Sequence, residues 1–412
     1  MSLTIKAYQK NFVTMLTGNT LSQLIPFLIA PTLARIYSPE QFAVFANFMA
    51  IAGMIGIVAT GRLELAIPLP KEKIKAKHIV ITGLLICVAL SILSFIIPLN
   101  ANKIAMFYNN ENLTPYLWYV PISIVSFGLF ALSNNWALRN KKIKNISTSK
   151  ILQSLINNGA AALLGYIGWG INGMIIAWLC SQFIAILIFS IGVNKRKIVA
   201  TDYTTTDFKN TVYTYKDFLT INSLHAFADL FMTQFLLFWI ISMHYGNTEL
   251  GLFSQMVKYL KAPVVLICSS VSQLFFIEAS TALQNNVSVK PVFYRTLKTT
   301  LFFAIPFVII VYLFGPTIFK LYLGNQWIAS GTYAQLYLPV LFLMFFVSPV
   351  STIPILFGKQ KKSFLITLLG YALSLGSFFI SVNLGWEFNK ALLLYSCLNI
   401  PYYVFLLFWY YS

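Results

Sequence analysis

Lys258 and Lys261 stand three residues apart in a stretch, 251–276, that holds no other charged side chain. Helical spacing puts both on one face. An ammonium group turned toward hydrocarbon is costly, so that face must line a protein interior or a wet cavity. It either attracts an anionic cargo or lends one lysine to Asp229, in the neighbouring apolar stretch 218–242, to hold two helices together. Asp229 is the one carboxylate deep in the second half of the chain. Carboxylates at such depth mark a proton relay, a cation site or a buried pair, which makes Asp229 the candidate for ion coupling.

Polar residues also punctuate the first apolar stretches. Asn19 and Gln23 are four apart, hence on one helical face, and their amides must turn toward other helices or toward hydroxyl groups on a cargo. Arg62 and Glu64 fall within 42–65 and are only two apart, so a continuous helix forbids a simple pair. Arg62 either guides an anion at its end of the helix or snorkels to headgroups, and Arg35 is either an interfacial anchor or a contact at the far end. The cysteines Cys87, Cys180, Cys268 and Cys397 lack pair spacing, and His78, His225 and His244 are too scattered for zinc. Trp169, Trp327 and Trp386 suit an aromatic belt.

The elements that must position these residues follow from composition. Hydrophobic residues make up 58% of the chain and charged residues 10%, against about 25% charged in a soluble domain. Lipid must therefore surround most of the surface, and each crossing takes about 20 apolar residues. Twelve such spans are expected, at 12–36, 42–65, 78–98, 115–137, 150–168, 171–192, 218–242, 251–276, 297–315, 334–357, 364–384 and 390–410. Runs such as Leu84 to Ile97 lack the alternation of a β-barrel. The class is an all-α integral membrane protein.

Charge orients it. One set of loops holds 22 of the 29 basic residues, among them Lys6, Lys10, Lys195, Arg196 and Lys197, while the opposite loops hold only Arg35, Lys103, Lys320 and Lys390. By the positive-inside rule both termini and the loop from Asn194 to Asp217 are cytoplasmic. The same rule, together with anionic lipid, accounts for the net charge of +18, so nucleic acid is not a partner. The first apolar stretch has no A-x-A-like cleavage site and reads as a retained helix.

The chain halves at the long basic loop, giving residues 1–193, a linker at 194–217, and residues 218–412. Tyr37-Ser-Pro-Glu-Gln-Phe-Ala-Val-Phe45 and Tyr245-Gly-Asn-Thr-Glu-Leu-Gly-Leu-Phe253 occupy corresponding outer turns. With six spans apiece the repeats would be parallel. Two six-helix bundles around a cleft are the architecture of a transporter.

Several motifs carry a family resemblance. They are Gly18-Asn-Thr-Leu-Ser-Gln23, Pro31-Thr-Leu-Ala-Arg-Ile-Tyr-Ser-Pro-Glu-Gln-Phe42, Arg62-Leu-Glu-Leu-Ala-Ile-Pro-Leu-Pro70, the segment Arg139 to Ser154, and Gly168-Trp-Gly-Ile-Asn-Gly173. In these the sequence resembles the polysaccharide and O-antigen flippases of the multidrug/oligosaccharidyl-lipid/polysaccharide exporter superfamily. The resemblance implies a V-shaped, alternating-access transporter in the bacterial cytoplasmic (inner) membrane. It implies flipping of a polyprenyl-diphosphate-linked oligosaccharide to the outer leaflet for surface polysaccharide, as in lipopolysaccharide biosynthesis. No covalent chemistry and no cofactor is expected, only a coupling cation (proton or sodium) or the membrane potential. Membrane lipids and polysaccharide polymerase machinery are the implied partners. On this reading Arg35, Arg62, Lys258 and Lys261 meet the diphosphate, Asn19 and Gln23 the sugar, and Asp229 the coupling ion. Two alternatives stand beside it. An ion-coupled exporter of another lipid-linked precursor or of a small drug-like solute would share the fold, and a drug or small-cation exporter would prefer an acidic cavity. A membrane-embedded glycan-processing enzyme would carry a large outer loop.

Overall fold

The computed structural model describes residues 2–191 and 203–411, apart from the side chains of 2–13, 15, 16 and 190. Residues 194–202 of the basic loop, with Lys195, Arg196 and Lys197, and the side chains of Lys6 and Lys10 lie outside the described set. The described residues are almost wholly helical and contain no strand. The membrane helices are α1 Ser2–Ile36, α2 Pro39–Gly56, α3 Lys73–Leu93, α4 Val120–Arg139, α5 Ile143–Tyr166, α6 Gly170–Ser190, α7 Phe218–His244, α8 Asn247–Gln284, α9 Lys290–Leu323, α10 Ile328–Val350, α11 Gln360–Asn383 and α12 Phe388–Tyr411. Nine helical stretches among the described residues are each long and apolar enough to span a bilayer, and α1, α2 and α5 complete six helices on either side of the basic loop.

Chain contacts group these helices into two compact units, Met1–Tyr37 with Val44–Trp239, and Ser38–Ala43 with Ile240–Ser412. The sequence placed its boundary in the linker 194–217, whereas the contacts divide the chain inside α7. The reason is local. The Trp239 indole donates to the Phe107 carbonyl at 2.7 Å, its ring stacks on Phe107 at 4.8 Å, and Phe235 packs edge-on against the buried Tyr108. These contacts tie most of α7 to the connection between α3 and α4.

In the first unit, α1 and α5 approach closely along a polar seam. A Cβ at Gly18 would come within 2.5 Å of Ser147, so glycine is required where the backbones meet. Ser147 donates to the Thr14 carbonyl, Ser154 to that of Ser22, and the Tyr37 hydroxyl to that of Ala161. Small residues at the contact with hydroxyls bonding across it are the usual means of joining helices in lipid.

The second helix ends earlier than its hydropathy suggests. Instead of running to residue 65 it stops at Gly56, and the chain turns through left-handed geometry at Gly61 (φ 60°) and Arg62 (φ 59°) before a short 3-10 turn, Leu63–Ala66. Gly56 itself is pressed against the Phe127 ring of α4, which a Cβ would overlap. Arg139 then clasps the turn, donating to the Ile67 carbonyl at 2.9 Å and the Lys71 carbonyl at 3.3 Å.

The end of the basic loop is ordered as a helix, Thr205–Thr214, opened by a capping box between Thr204 and Asp207. The Thr204 hydroxyl and backbone N–H hold the Asp207 carboxyl below the usual carboxylate range. Asp207 also faces His78 of α3 at 3.4 Å, and Tyr203 shares a 2.6 Å hydrogen bond with Thr82. The basic loop is therefore docked on α3 at its described end.

In the second unit, α9 and α10 meet through Gly315 and Gly331, where a Cβ on Gly331 would overlap the Pro316 backbone. Tyr245, Tyr333 and Phe378 surround Phe388 with ring separations of 4.9 to 6.1 Å. The segment Ser38–Ala43 also belongs here. A Cβ on Gly251 of α8 would overlap the Pro39 carbonyl, and Thr248 donates to the Glu40 carboxylate.

The repeat seen at Tyr37 and Tyr245 extends through the structure. Tyr37 and Tyr245 each donate a backbone bond of 2.9 Å to a carbonyl four residues back, Leu33 and Ile241. Further along, α5 and α11 end in matching Gly-Trp turns. Gly168 (φ 87°) and Gly385 (φ 64°) are left-handed, and the following tryptophans donate to Leu164 and Ser381 at 3.0 and 2.9 Å. Glycine suits that position because a left-handed residue caps the helix and lets the next N–H reach back across it. The turns before α5 and α11 match too, with Lys141 and Gly358 left-handed and Lys142 and Lys359 donating five residues back.

Candidate functional site

Lys258 and Lys261 lie on α8 within the second unit, the first exposed and the second half-buried. The Lys258 ammonium sits 5.5 Å from the Tyr259 ring centroid, and Tyr259 packs edge-on against Tyr322. Elsewhere in the same unit Tyr395 of α12 stacks on Tyr337 of α10 at 5.9 Å. Gln255 extends the row one turn back. It is 6% exposed, and its side-chain oxygen has no hydrogen-bond partner. The spacing that joined the two lysines would have found it, but a search for charged residues passed over an amide.

Asp229 belongs to the first unit, half-buried on α7 between two π-helical turns, Phe218–Asn222 and Phe231–Leu236, and its carbonyl accepts a 2.6 Å bond from Thr233. Such wide turns interrupt helices mostly at functional positions. Arg35 is exposed and donates to the Pro31 carbonyl of its own helix at 3.0 Å.

Arg62 and Glu64 do form an ion pair, at 3.5 Å, contrary to the expectation from helical spacing. The spacing argument fails because neither residue is on an α-helix, and the left-handed turn folds one side chain back over the other. Glu64 is 3% exposed and also accepts from the Thr60 hydroxyl, while the Arg62 Nε is buried without a partner. Beside this turn, an apolar recess of about 430 Å3 is lined by Gly61, Ile86, Leu90, Leu219 and Phe227.

Asn19 and Gln23 diverge in their surroundings. The Asn19 side-chain oxygen accepts from the Lys150 ammonium at 2.9 Å, while the Gln23 oxygen is buried and unpaired. Lys150, counted in the sequence as a loop residue, is half-buried two turns into α5. Removing its acceptor leaves a partly buried charge unsatisfied, so Asn19→Leu should destabilise the protein by about 1–3 kcal/mol. Asn19→Leu combined with Lys150→Met should recover most of that loss in thermal melts in detergent. Equal stability of Asn19→Leu and the unsubstituted protein would show that the bond contributes nothing.

Among the described residues no group of three His, Cys, Asp or Glu side chains could hold a metal ion. Within the first unit the candidate residues are Asn19, Gln23, Arg62 and Asp229, and within the second they are Lys258, Lys261 and Gln255, each on or beside apolar helices.

Comparison with known proteins identifies the family. A sequence profile described as "Polysaccharide biosynthesis protein" matches residues 32–332, most of the chain. The chain belongs to that family. No curated protein sequence matches it significantly. Among solved structures, the family member described here is similar to the lipid II flippase MurJ in an inward closed conformation, with a TM-score of 0.76 at 17% identity, covering 97% of this chain and 88% of that one. It is also similar to a MOP superfamily transporter from Pyrococcus furiosus, with a TM-score of 0.65 at 14% identity, covering 97% and 93%. A multidrug resistance MATE family transporter of the same superfamily scores 0.62 at 13% identity, covering 96% and 93%. The chain therefore has the fold of the MOP transporters and is a multi-pass membrane protein.

Proposed function

We propose that this protein flips a polyprenyl-diphosphate-linked oligosaccharide from the cytoplasmic to the outer leaflet of a bacterial cytoplasmic membrane. The observation that carries this reading is the pair of cations on α8, Lys258 and Lys261, in a family member with a flippase-type fold. A diphosphate needs cations to replace its lost hydration. Arg62, with its unpaired Nε next to an apolar recess, supplies a second place where a charged head and a lipid tail can be met together. Asn19 and Gln23 are kept as sugar contacts, Gln23 with the better claim because its oxygen is unpaired. Both termini are assigned to the cytoplasm on the strength of the basic loops. Handing the outer-leaflet product to a polysaccharide polymerase is part of the same reading.

Energy comes from an ion gradient or the membrane potential, with Asp229, flanked by π-helical turns, as the group whose protonation or cation binding switches the state. The test is translocation of a lipid-linked oligosaccharide in reconstituted vesicles, read as protein-dependent access of an external glycosidase to the sugar. Access no greater than in protein-free vesicles would overturn the reading. Asp229→Asn should abolish the dependence on an imposed proton or sodium gradient, and unchanged gradient dependence would remove Asp229 from the coupling role.

A further inference from the structure

At the lysine-rich end of the second unit, the ends of α8, α9 and α12 and the segment Ile353–Lys359 enclose a cavity of about 280 Å3. Its floor is apolar, formed by Leu283, Phe293 and Ile353, and Phe293 and Ile353 are part of a buried cluster with Phe275 and Val350. Trp409 and Tyr411 form one wall, and Lys290 and Lys359 stand exposed at the rim. The Lys290 ammonium lies over the Tyr411 ring at 4.4 Å and that of Lys362 lies 5.8 Å from the Trp409 ring. Among the described residues, neither rim lysine is in an ion pair, and the nearby Glu278 is engaged by Arg295. The α9 and α11 helices begin at or beside the two rim lysines, adding the positive ends of their dipoles.

The cavity is thus cationic at its mouth, aromatic along its side and apolar below. A soluble anion would satisfy the lysines but leave the apolar floor wet, and a zwitterionic lipid would bring its own cation against them. Tryptophan and tyrosine belong at the level of lipid headgroups, and basic pockets between helices at that level take anionic headgroups. We infer that this cavity binds an anionic phospholipid, with Lys290 and Lys359 meeting the phosphate and the first part of an acyl chain lying on the floor.

The full chain, purified in detergent and stripped of lipid, should bind phosphatidylglycerol about tenfold more tightly than phosphatidylcholine in native mass spectrometry, about 1.4 kcal/mol. Lys290→Gln with Lys359→Gln should erase that preference. Lys290→Arg with Lys359→Arg should keep it, as should the remote pair Lys103→Gln with Lys390→Gln. Equal binding of the two lipids, or a preference that survives the glutamine pair, would overturn the inference. Glycerophosphate binding as tightly as phosphatidylglycerol would also overturn it, by making the site one for free phosphate. Should the glutamine pair fail to fold, quenching of tryptophan fluorescence by chain-brominated phosphatidylglycerol decides the matter. Trp409→Phe should remove part of that quenching, and an unchanged quenching profile would place the lipid elsewhere.

Discussion

Replacing Lys258 and Lys261 together with glutamine should reduce flipping by about tenfold or more, equivalent to at least about 1.4 kcal/mol of barrier, while leaving the amount of folded protein largely unchanged. Stripping water from an ion costs several kcal/mol even after the protein relaxes around it, so a diphosphate needs cationic partners along its path. Glutamine is one atom shorter than lysine but keeps a flexible hydrogen-bonding side chain while removing the charge. The exposed setting of Lys258 makes the change tolerable for folding, since no described partner loses an ion pair. Attraction must also be moderate, because a site that holds the head too tightly traps it. Lysine meets that need with a flexible point charge, whereas arginine would impose its planar fork. Lys261→Arg should therefore restore only part of the activity of a Lys261→Gln protein. Transport in vesicles, normalised to folded protein, is the measurement, and near-normal flipping by the double variant would remove the lysines from the path.

The second large effect is on stability. Gly251→Ala should lower the unfolding temperature markedly, with a cost of about 1–3 kcal/mol, because the new methyl meets the backbone carbonyl of Pro39. Neither side can yield easily: Gly251 is inside α8, and Pro39 is the ring-restrained first residue of α2. Gly53→Ala is the control, since a Cβ at this half-buried position meets nothing within 4 Å and a helical glycine gains up to about 1 kcal/mol on becoming alanine. Indistinguishable melting curves for Gly251→Ala and the parent would show that the Pro39 contact opens freely.

The fold class was legible because hydropathy reports directly on what surrounds a helix, and each of the twelve apolar stretches overlaps one of α1 to α12. What hydropathy does not report is chain direction. Residues 57–59 are as apolar as the helix before them, so the end of α2 at Gly56 was invisible, and with it the turn that pairs Arg62 with Glu64. Long-range partners were equally hidden. Lys150 follows Lys141, Lys142 and Lys144 and reads as one more loop charge, but its acceptor, Asn19, is 131 residues away. The division within α7 depends on the Trp239 indole finding the Phe107 carbonyl, a contact no local pattern encodes. Gln255 was missed for a different reason, because an uncharged amide on a cationic face carries no signal until its burial is known.

The matching Gly-Trp turns after α5 and α11 bear on the ancestry of the chain. A unit of six helices returns the chain to the side of the membrane on which it began, so a gene duplicated in tandem yields a second copy that inserts the same way as the first. Two halves of six helices each therefore need no dual orientation, unlike inverted repeats, whose odd number of crossings forces one half to run upside down. Once fused, the copies were free to specialise. At the spacing of 208 residues that separates Glu40 from Thr248, the counterparts of Lys258 and Lys261 are Ala50 and Gly53 on α2. The equivalent positions of the two halves thus carry ammonium groups in one and small side chains in the other, an asymmetry that an assembly of two identical halves could not have.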